Sequence, residues 1–256
     1  MSAGEIHVRM QKYKKIVPII FLAVYLLTGC ASVRPVSGDL AGAGRDAAEG
    51  NEHLPSSFTV CVDAGHGFED IGTSSSYLGD KTEKDITLSV ALYLKDALEQ
   101  FGYTVILTHD GDSFPQTSID DGNKLFNPQE RTAYANTLAI DYFVSVHCDS
   151  YTADSSVSGT RVYCCKGTSY AKESLNASRY IAAAVDAAYP NARSVVVREM
   201  SEKEAYYVIR ETKMPSSLIE LGFVTNPTDA ANMLNDAWCR TTAQAIAEGI
   251  NRFFTE

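Results

Sequence analysis

The stretch Phe58 to Gly67, FTVCVDAGHG, constrains this chain more than any other. It opens as an apolar run, Phe58-Thr59-Val60-Cys61-Val62, and breaks into Asp63-Ala64-Gly65-His66-Gly67. An apolar run of that length stopped by glycine predicts a buried strand that ends in a turn. A carboxylate and an imidazole then stand just past the carboxyl end of a strand, where open α/β sheets concentrate their chemistry.

The rest of the chain alternates in the same manner. Ile86, Val90, Leu94, Ala97, Leu98 and Phe101 recur at helical spacing after Thr82-Glu83-Lys84-Asp85, a loose capping box, and Gly102 closes that helix. Tyr103 to Thr108, Asp141 to Val146, Thr160 to Cys165 and Ser216 to Phe223 read as strands. Gln129 to Leu138, the region from Tyr170 to Tyr189, a short segment starting at Asn226-Pro227, and Asp236 to Phe253 read as helices. Ser194 to Arg198 and Tyr206 to Arg210 read as short extended segments. Strands alternating with helices imply an α/β sheet layered by helices.

The amino terminus has a separate design. Residues 9–15, RMQKYKK, are basic, and residues 16–27, IVPIIFLAVYLL, are apolar and uncharged. Twelve helical residues rise only about 18 Å, short of a ~30 Å hydrocarbon core, so the segment reads as a signal peptide and not as a spanning helix. It ends Leu27-Thr28-Gly29-Cys30, which resembles the bacterial lipobox and implies lipid attachment at Cys30. Residues 1–29 are thus expected to be a lipoprotein signal peptide, and 30–56, rich in Gly, Ala and Ser, a lipid-anchored flexible linker. Residues 57–256 are the expected folded domain, exported and held at the bacterial membrane facing the cell wall.

The formal charge is −10. Residues 1–29 carry a net +3, from Arg9, Lys12, Lys14 and Lys15 against Glu5, so the remainder carries −13. Such a surface repels nucleic acid. Apart from Cys30 there are five cysteines, Cys61, Cys148, Cys164, Cys165 and Cys239, with no CxxC pair, which argues against a zinc ribbon or a thioredoxin-type site. Cys61 and Cys148 fall at apolar strand positions as small buried side chains. A disulfide among the five is chemically open outside the cytoplasm.

Three polar residues fall where one site could gather them. His66 follows the first strand, His147 ends the Asp141 strand, and Glu83 sits in the first turn of a helix. Glu83 there either favours the helix dipole or serves as a ligand. His109 also follows a strand, and we read it as structural. Glu220 stands inside the apolar run Leu218-Ile219-Glu220-Leu221, which is costly unless the acid is paired or used. Two histidines and a glutamate form a His₂Glu set of the kind that holds zinc with one position open to water. No HExxH motif occurs, so the set would be assembled from distant segments.

The motifs DAGHG, EKDI, SVHCDS and LIELGFVTNP, with Arg131-x-x-x-Ala135-Asn136 and Lys213-Met214-Pro215 between them, together resemble the zinc-dependent N-acetylmuramoyl-L-alanine amidases of bacterial cell walls. The resemblance runs from Thr59 to Phe253. It implies one domain with a mixed, roughly six-stranded sheet flanked by helices on both faces. It implies one Zn²⁺ on His66, Glu83 and His147, Glu220 as catalytic acid/base, and peptidoglycan as substrate, cleaved between N-acetylmuramic acid and L-alanine. Asp63 either orients His66 or caps the turn. An activator protein is compatible with the resemblance, but no residue specifies one. Ala64 stands where the family more often has Pro, and Cys148-Asp149 where it has Ala-Asn; Asp149 adds charge near the site. The Asp149–Gly159 connection is too short for the inserted helix that plugs some relatives, while the loop Asp110 to Pro128 is long enough to shade a cleft. The competing readings are a zinc peptidase acting within the stem peptide and a non-catalytic wall-binding lipoprotein.

Overall fold

Six strands form one mixed sheet in the order β2-β1-β3-β6-β4-β5. The strands are β1 (Thr59–Ala64), β2 (Thr104–Leu107), β3 (Tyr142–Asp149), β4 (Arg161–Cys165), β5 (Val196–Met200) and β6 (Ser216–Phe223). The computed structural model describes residues 58–111, 113, 127–190, 192 and 195–256. The signal segment, Cys30 and the linker lie outside the described residues, as does most of the Asp110–Pro128 loop. β1 runs parallel to β2 and β3, and β3 parallel to β6. β4 is antiparallel to β6 and parallel to β5, which makes the sheet mixed.

Strand alternation sorts the side chains onto two unequal faces. Val60, Val62, Val144, Val146, Ile219 and Leu221 point to one face. Three long helices cover it: α1 (Glu83–Gln100), α3 (Ala171–Ala188) and α6 (Asp236–Thr255). Ile86, Val90, Leu94, Ile181, Val185, Ile246 and Phe253 fill that core. Cys61, Phe143, Tyr163 and Leu218 point to the other face. There only α2 (Pro128–Thr137) and the single-turn α4 (Tyr207–Arg210) pack, through Ala135, Val208 and Ile209. A short α5 (Pro227–Met233) follows β6. The thinly covered face is the one that carries the polar residues of interest.

The helices begin where local chemistry stops them from extending backwards. Asp85 accepts from the Thr82 backbone N–H at 2.8 Å, one half of a capping box. Asn127 and Asn226 accept from backbone N–H groups at the starts of α2 and α5, each followed by proline at the first helical position. Asn235 caps α6 through the Trp238 N–H.

Two expectations change. Tyr206 to Arg210 is not extended: Tyr207–Arg210 forms a helical turn. Val208 and Ile209, adjacent in sequence, both bury, which one helical face allows and a half-buried strand does not. β3 continues past Val146 to Asp149, so His147 lies within the strand, with a register shift between His147 and Asp149. The connection from Ser150 to Thr160 holds turns and bends and no helix. All five described cysteines are free and buried. Burial pushes the thiols of Cys61 and Cys148 well above their usual range, so they behave as small apolar side chains.

Candidate metal and catalytic site

The turn after β1 carries His66 in a left-handed backbone, φ 65°, followed by Gly67 at 133° and Phe68 at 57°. Such a conformation costs an L-residue about 1–2 kcal/mol. Hydrogen bonds hold it: Gly67 N–H to the Asp70 carbonyl at 2.8 Å, Asp70 N–H to the Gly67 carbonyl at 3.0 Å, and the Thr87 hydroxyl of α1 on the Gly65 carbonyl at 2.6 Å. Gly65 is required for space. A Cβ there would stand 2.4 Å from Cε1 of His147, inside the imidazole's own volume.

Glu83 opens α1 and is 3% exposed. Its Oε1 lies 3.0 Å from His147 Nδ1 and 3.2 Å from His66 Nε2, and accepts the Cys148 N–H at 2.9 Å. Its Oε2 accepts the Thr73 N–H at 2.8 Å. Burial alone would raise the Glu83 pKa, but its bonds to the two imidazoles outweigh that and hold it far below the usual carboxylate range. His66 shows the reciprocal effect: burial works downward, and Glu83 and Asp70 more than reverse it, leaving the pKa raised. The two rings meet edge to face, centroids 4.9 Å apart. Thus strand-end turn, helix start and neighbouring strand deliver His66, Glu83 and His147 to one point.

Their ligand atoms all lie within 4.8 Å of one another. Two imidazole nitrogens and one carboxylate oxygen suit zinc. The far nitrogen of His66, Nδ1, pairs with Asp70 Oδ2 at 2.8 Å, the carboxylate partner that a metal-binding histidine commonly has. The donor set therefore fits the ion. Glu220 is the register partner of His147 on β6 and shares its face of the sheet. It is 5% exposed, and its Oε2 has no hydrogen-bond partner among the described residues. Burial, reinforced by repulsion from Asp149 and Glu83, pushes its pKa well above the usual range against the opposing Tyr206 phenol and Arg161. These residues line one cleft of about 320 Å³, together with Arg131, Asp149, Ser150 and Tyr206.

Asp63 does neither of the things expected of it. It accepts from Thr108 Oγ1 and Ser145 Oγ, both at 2.7 Å, and forms an ion pair with Arg131 Nε at 2.8 Å. Its side chain points from β1 into the thin face, toward β2, β3 and α2, whereas the turn carries His66 beyond the strand. The partner of His66 is Asp70, which sequence reasoning missed; a carboxylate four residues on, across a glycine turn, was the available signal. Arg131 was visible as part of a motif but not as the counter-ion of Asp63. His109 stays out of the cluster, as expected: it is buried, with Nε2 3.0 Å from the Ala64 carbonyl. Asp149, the expected added charge, pairs with Arg161 at 3.1 Å, whose guanidinium lies 4.3 Å from the Phe223 ring centroid.

A family model described as N-acetylmuramoyl-L-alanine amidase matches residues 60–252. Among curated proteins, the chain is 34% identical over 199 residues to YqiI, an uncharacterized protein of Bacillus subtilis, covering 77% of this chain and 85% of that one. It is 31% identical over 199 residues to the probable cell wall amidase LytH of Staphylococcus saprophyticus; the match covers 77% of this chain and only 59% of that protein's length. Among solved structures, the N-acetylmuramoyl-L-alanine amidase AmiC2 of Nostoc punctiforme superposes with a TM-score of 0.66 at 26% identity, over 79% of this chain and all of that one.

Proposed function

The chain belongs to the N-acetylmuramoyl-L-alanine amidase family, and from that premise we propose a zinc-dependent hydrolase that cuts the amide between the lactyl group of N-acetylmuramic acid and L-alanine in peptidoglycan. The observation that carries the proposal is the convergence of His66, Glu83 and His147 beside the buried, underpartnered Glu220. These three would hold one zinc ion, which when bound supplies Lewis acidity and brings the pKa of a water toward about 7.

The protein's own groups do the remaining work. Glu220 takes a proton from the attacking water and returns it to the alanine nitrogen as the C–N bond breaks, leaving a lactyl carboxylate and a free amine. Asp70 fixes the ring of His66, so that Nε2 faces Glu83. Asp63 and Arg131 hold the floor of the cleft between β1, β3 and α2. The enzyme is exported, with residues 1–29 as lipoprotein signal, Cys30 as lipid attachment, 30–56 as linker and 57–256 as catalytic domain.

The test is a digest of purified peptidoglycan with and without a chelator, read by mass spectrometry. Intact stem peptides with a free L-alanine amine, lost on chelation and restored by zinc, are expected. Shortened stems would identify a peptidase instead, and no product from the zinc-loaded protein would overturn the enzymatic reading. Incorporation of labelled palmitate, lost in Cys30→Ala, tests the anchor separately.

A further inference from the structure

We propose that His109 is a positioning residue for His66. It is not one of the three clustered ligands. It clamps the turn after β1 from the β2 side, and that clamp aims the His66 imidazole at Glu83. The proposal rests on the zinc reading only for the ion that the aimed ring would hold.

The turn needs outside support. His66, Gly67 and Phe68 all have positive φ, two of them L-residues that avoid that region. Such a run persists only where its surroundings over-determine it. On the β3 side, the Gly65 N–H donates to the Val146 carbonyl at 2.9 Å. On the β2 side, Thr108 and His109 bond three successive residues of β1. The Thr108 N–H donates to the Val62 carbonyl at 3.1 Å, its hydroxyl to Asp63 Oδ1 at 2.7 Å, and His109 Nε2 to the Ala64 carbonyl at 3.0 Å. Of these three, the His109 bond lies nearest the turn. The same ring lies against the turn itself. A Cβ on Gly67 would stand 3.0 Å from His109 Cε1 and 3.2 Å from Nε2, and the Phe68 ring is centred 5.8 Å away. Gly67 in turn exchanges backbone hydrogen bonds with Asp70, the partner of His66 Nδ1. A shift of Gly67 away from His109 therefore moves both the His66 ring and the carboxylate that steers it.

The chemistry of His109 shows that its contribution is the bond and not its bulk. A carbonyl can only accept, so the ring hydrogen is on Nε2 and Nδ1 carries a bare lone pair. Nδ1 is buried, in a side chain 2% exposed, and has no hydrogen-bond partner among the described residues. An unsatisfied buried acceptor is a cost that phenylalanine or methionine would avoid. What the imidazole supplies in return is the N–H on Ala64.

The experiment is a zinc competition titration on the full chain. His109→Phe and His109→Met fill the space without an N–H, while His109→Gln carries an amide N–H with a reach close to that of Nε2. The Phe and Met variants are expected to weaken zinc binding about tenfold. The Gln variant should keep most of the wild-type affinity, and all three should be folded by circular dichroism without metal. In a His66→Ala background the loss caused by His109→Phe or His109→Met should vanish, because it acts through the His66 ring. In metal-free crystals of the Phe and Met variants, His66 Nε2 and Glu83 Oε1 should have moved apart from their 3.2 Å separation. Unaltered zinc affinity in the Phe and Met variants, failure of the Gln variant to rescue, an equal loss in the His66→Ala background, or a His66 ring left in place would each overturn the proposal. If the wild-type protein takes up no zinc, the metal reading fails, and the metal-free crystals still decide whether His109 aims His66.

Discussion

Replacing Arg131 with methionine tests how much the floor of the cleft depends on one buried charge pair. Asp63 is fully buried and Arg131 is 2% exposed, with Nε and Oδ1 2.8 Å apart. Opposite charges about 4 Å apart attract by about 4 kcal/mol at an effective dielectric of 20. Removing one partner of such a pair typically costs about 3–5 kcal/mol, because the other charge stays buried. Methionine keeps most of the stem's packing. Thr108 and Ser145 continue to donate to Asp63, and each such bond contributes about 1 kcal/mol. The expected loss is therefore at the lower end, about 3 kcal/mol, a large share of the 5–15 kcal/mol typical of a domain. In urea, with a slope of about 2 kcal/mol/M, the midpoint should fall by about 1.5 M. The double variant Arg131→Met/Asp63→Leu should lose at least 1 kcal/mol less than the sum of the singles. A single-variant loss under 1 kcal/mol, or strict additivity in the double, would refute the reasoning.

Four further outcomes follow from the site. Glu220→Gln should lower turnover by about 10²–10⁴-fold at unchanged zinc content, read by metal analysis beside the peptidoglycan digest. Because the folded Glu220 pKa is raised, ionising it opposes folding as pH climbs above the unfolded value; metal-free Glu220→Gln should therefore be more stable than wild type at alkaline pH and equal to it in acid, measured by urea midpoints at several pH values. Asp70→Ala removes the partner of His66 Nδ1 and should weaken zinc by about 10–100-fold in a competition titration, with most activity recovered at saturating zinc. Gly65→Ala places a Cβ into the His147 ring; zinc occupancy should collapse while the circular dichroism stays that of a folded sheet.

The sheet was legible because its strands are apolar runs bounded by glycine, proline and polar turns, and the long helices because their buried faces repeat at 3.6 residues. The single turn Tyr207–Arg210 escaped because four residues are too few for periodicity to separate helix from strand. His66, Glu83, His147 and Glu220 were legible as candidates because each places a polar group at a strand end, a helix start or inside an apolar run. The roles of Asp63 and Asp70 were not. Which carboxylate reaches His66 depends on a left-handed turn that swings the imidazole away from the strand, and backbone φ at a non-glycine residue has no signature in composition. The Asp63–Arg131 pair joins β1 to α2 across 68 positions (131 minus 63) of sequence, and no spacing rule reaches that far.

The strand order places β6, the last strand in sequence, between β3 and β4 in the interior of the sheet. Until residues 216–223 are in place, the β4–β5 pair has no strand joining it to β2-β1-β3, and Glu220 is absent from beside His147. Folding of this sheet is thus completed only when this late segment inserts between β3 and β4, a pairing of high sequence separation. A fragment cut short before β6 would carry His66, Glu83 and His147 without Glu220 beside them, in a sheet still divided in two.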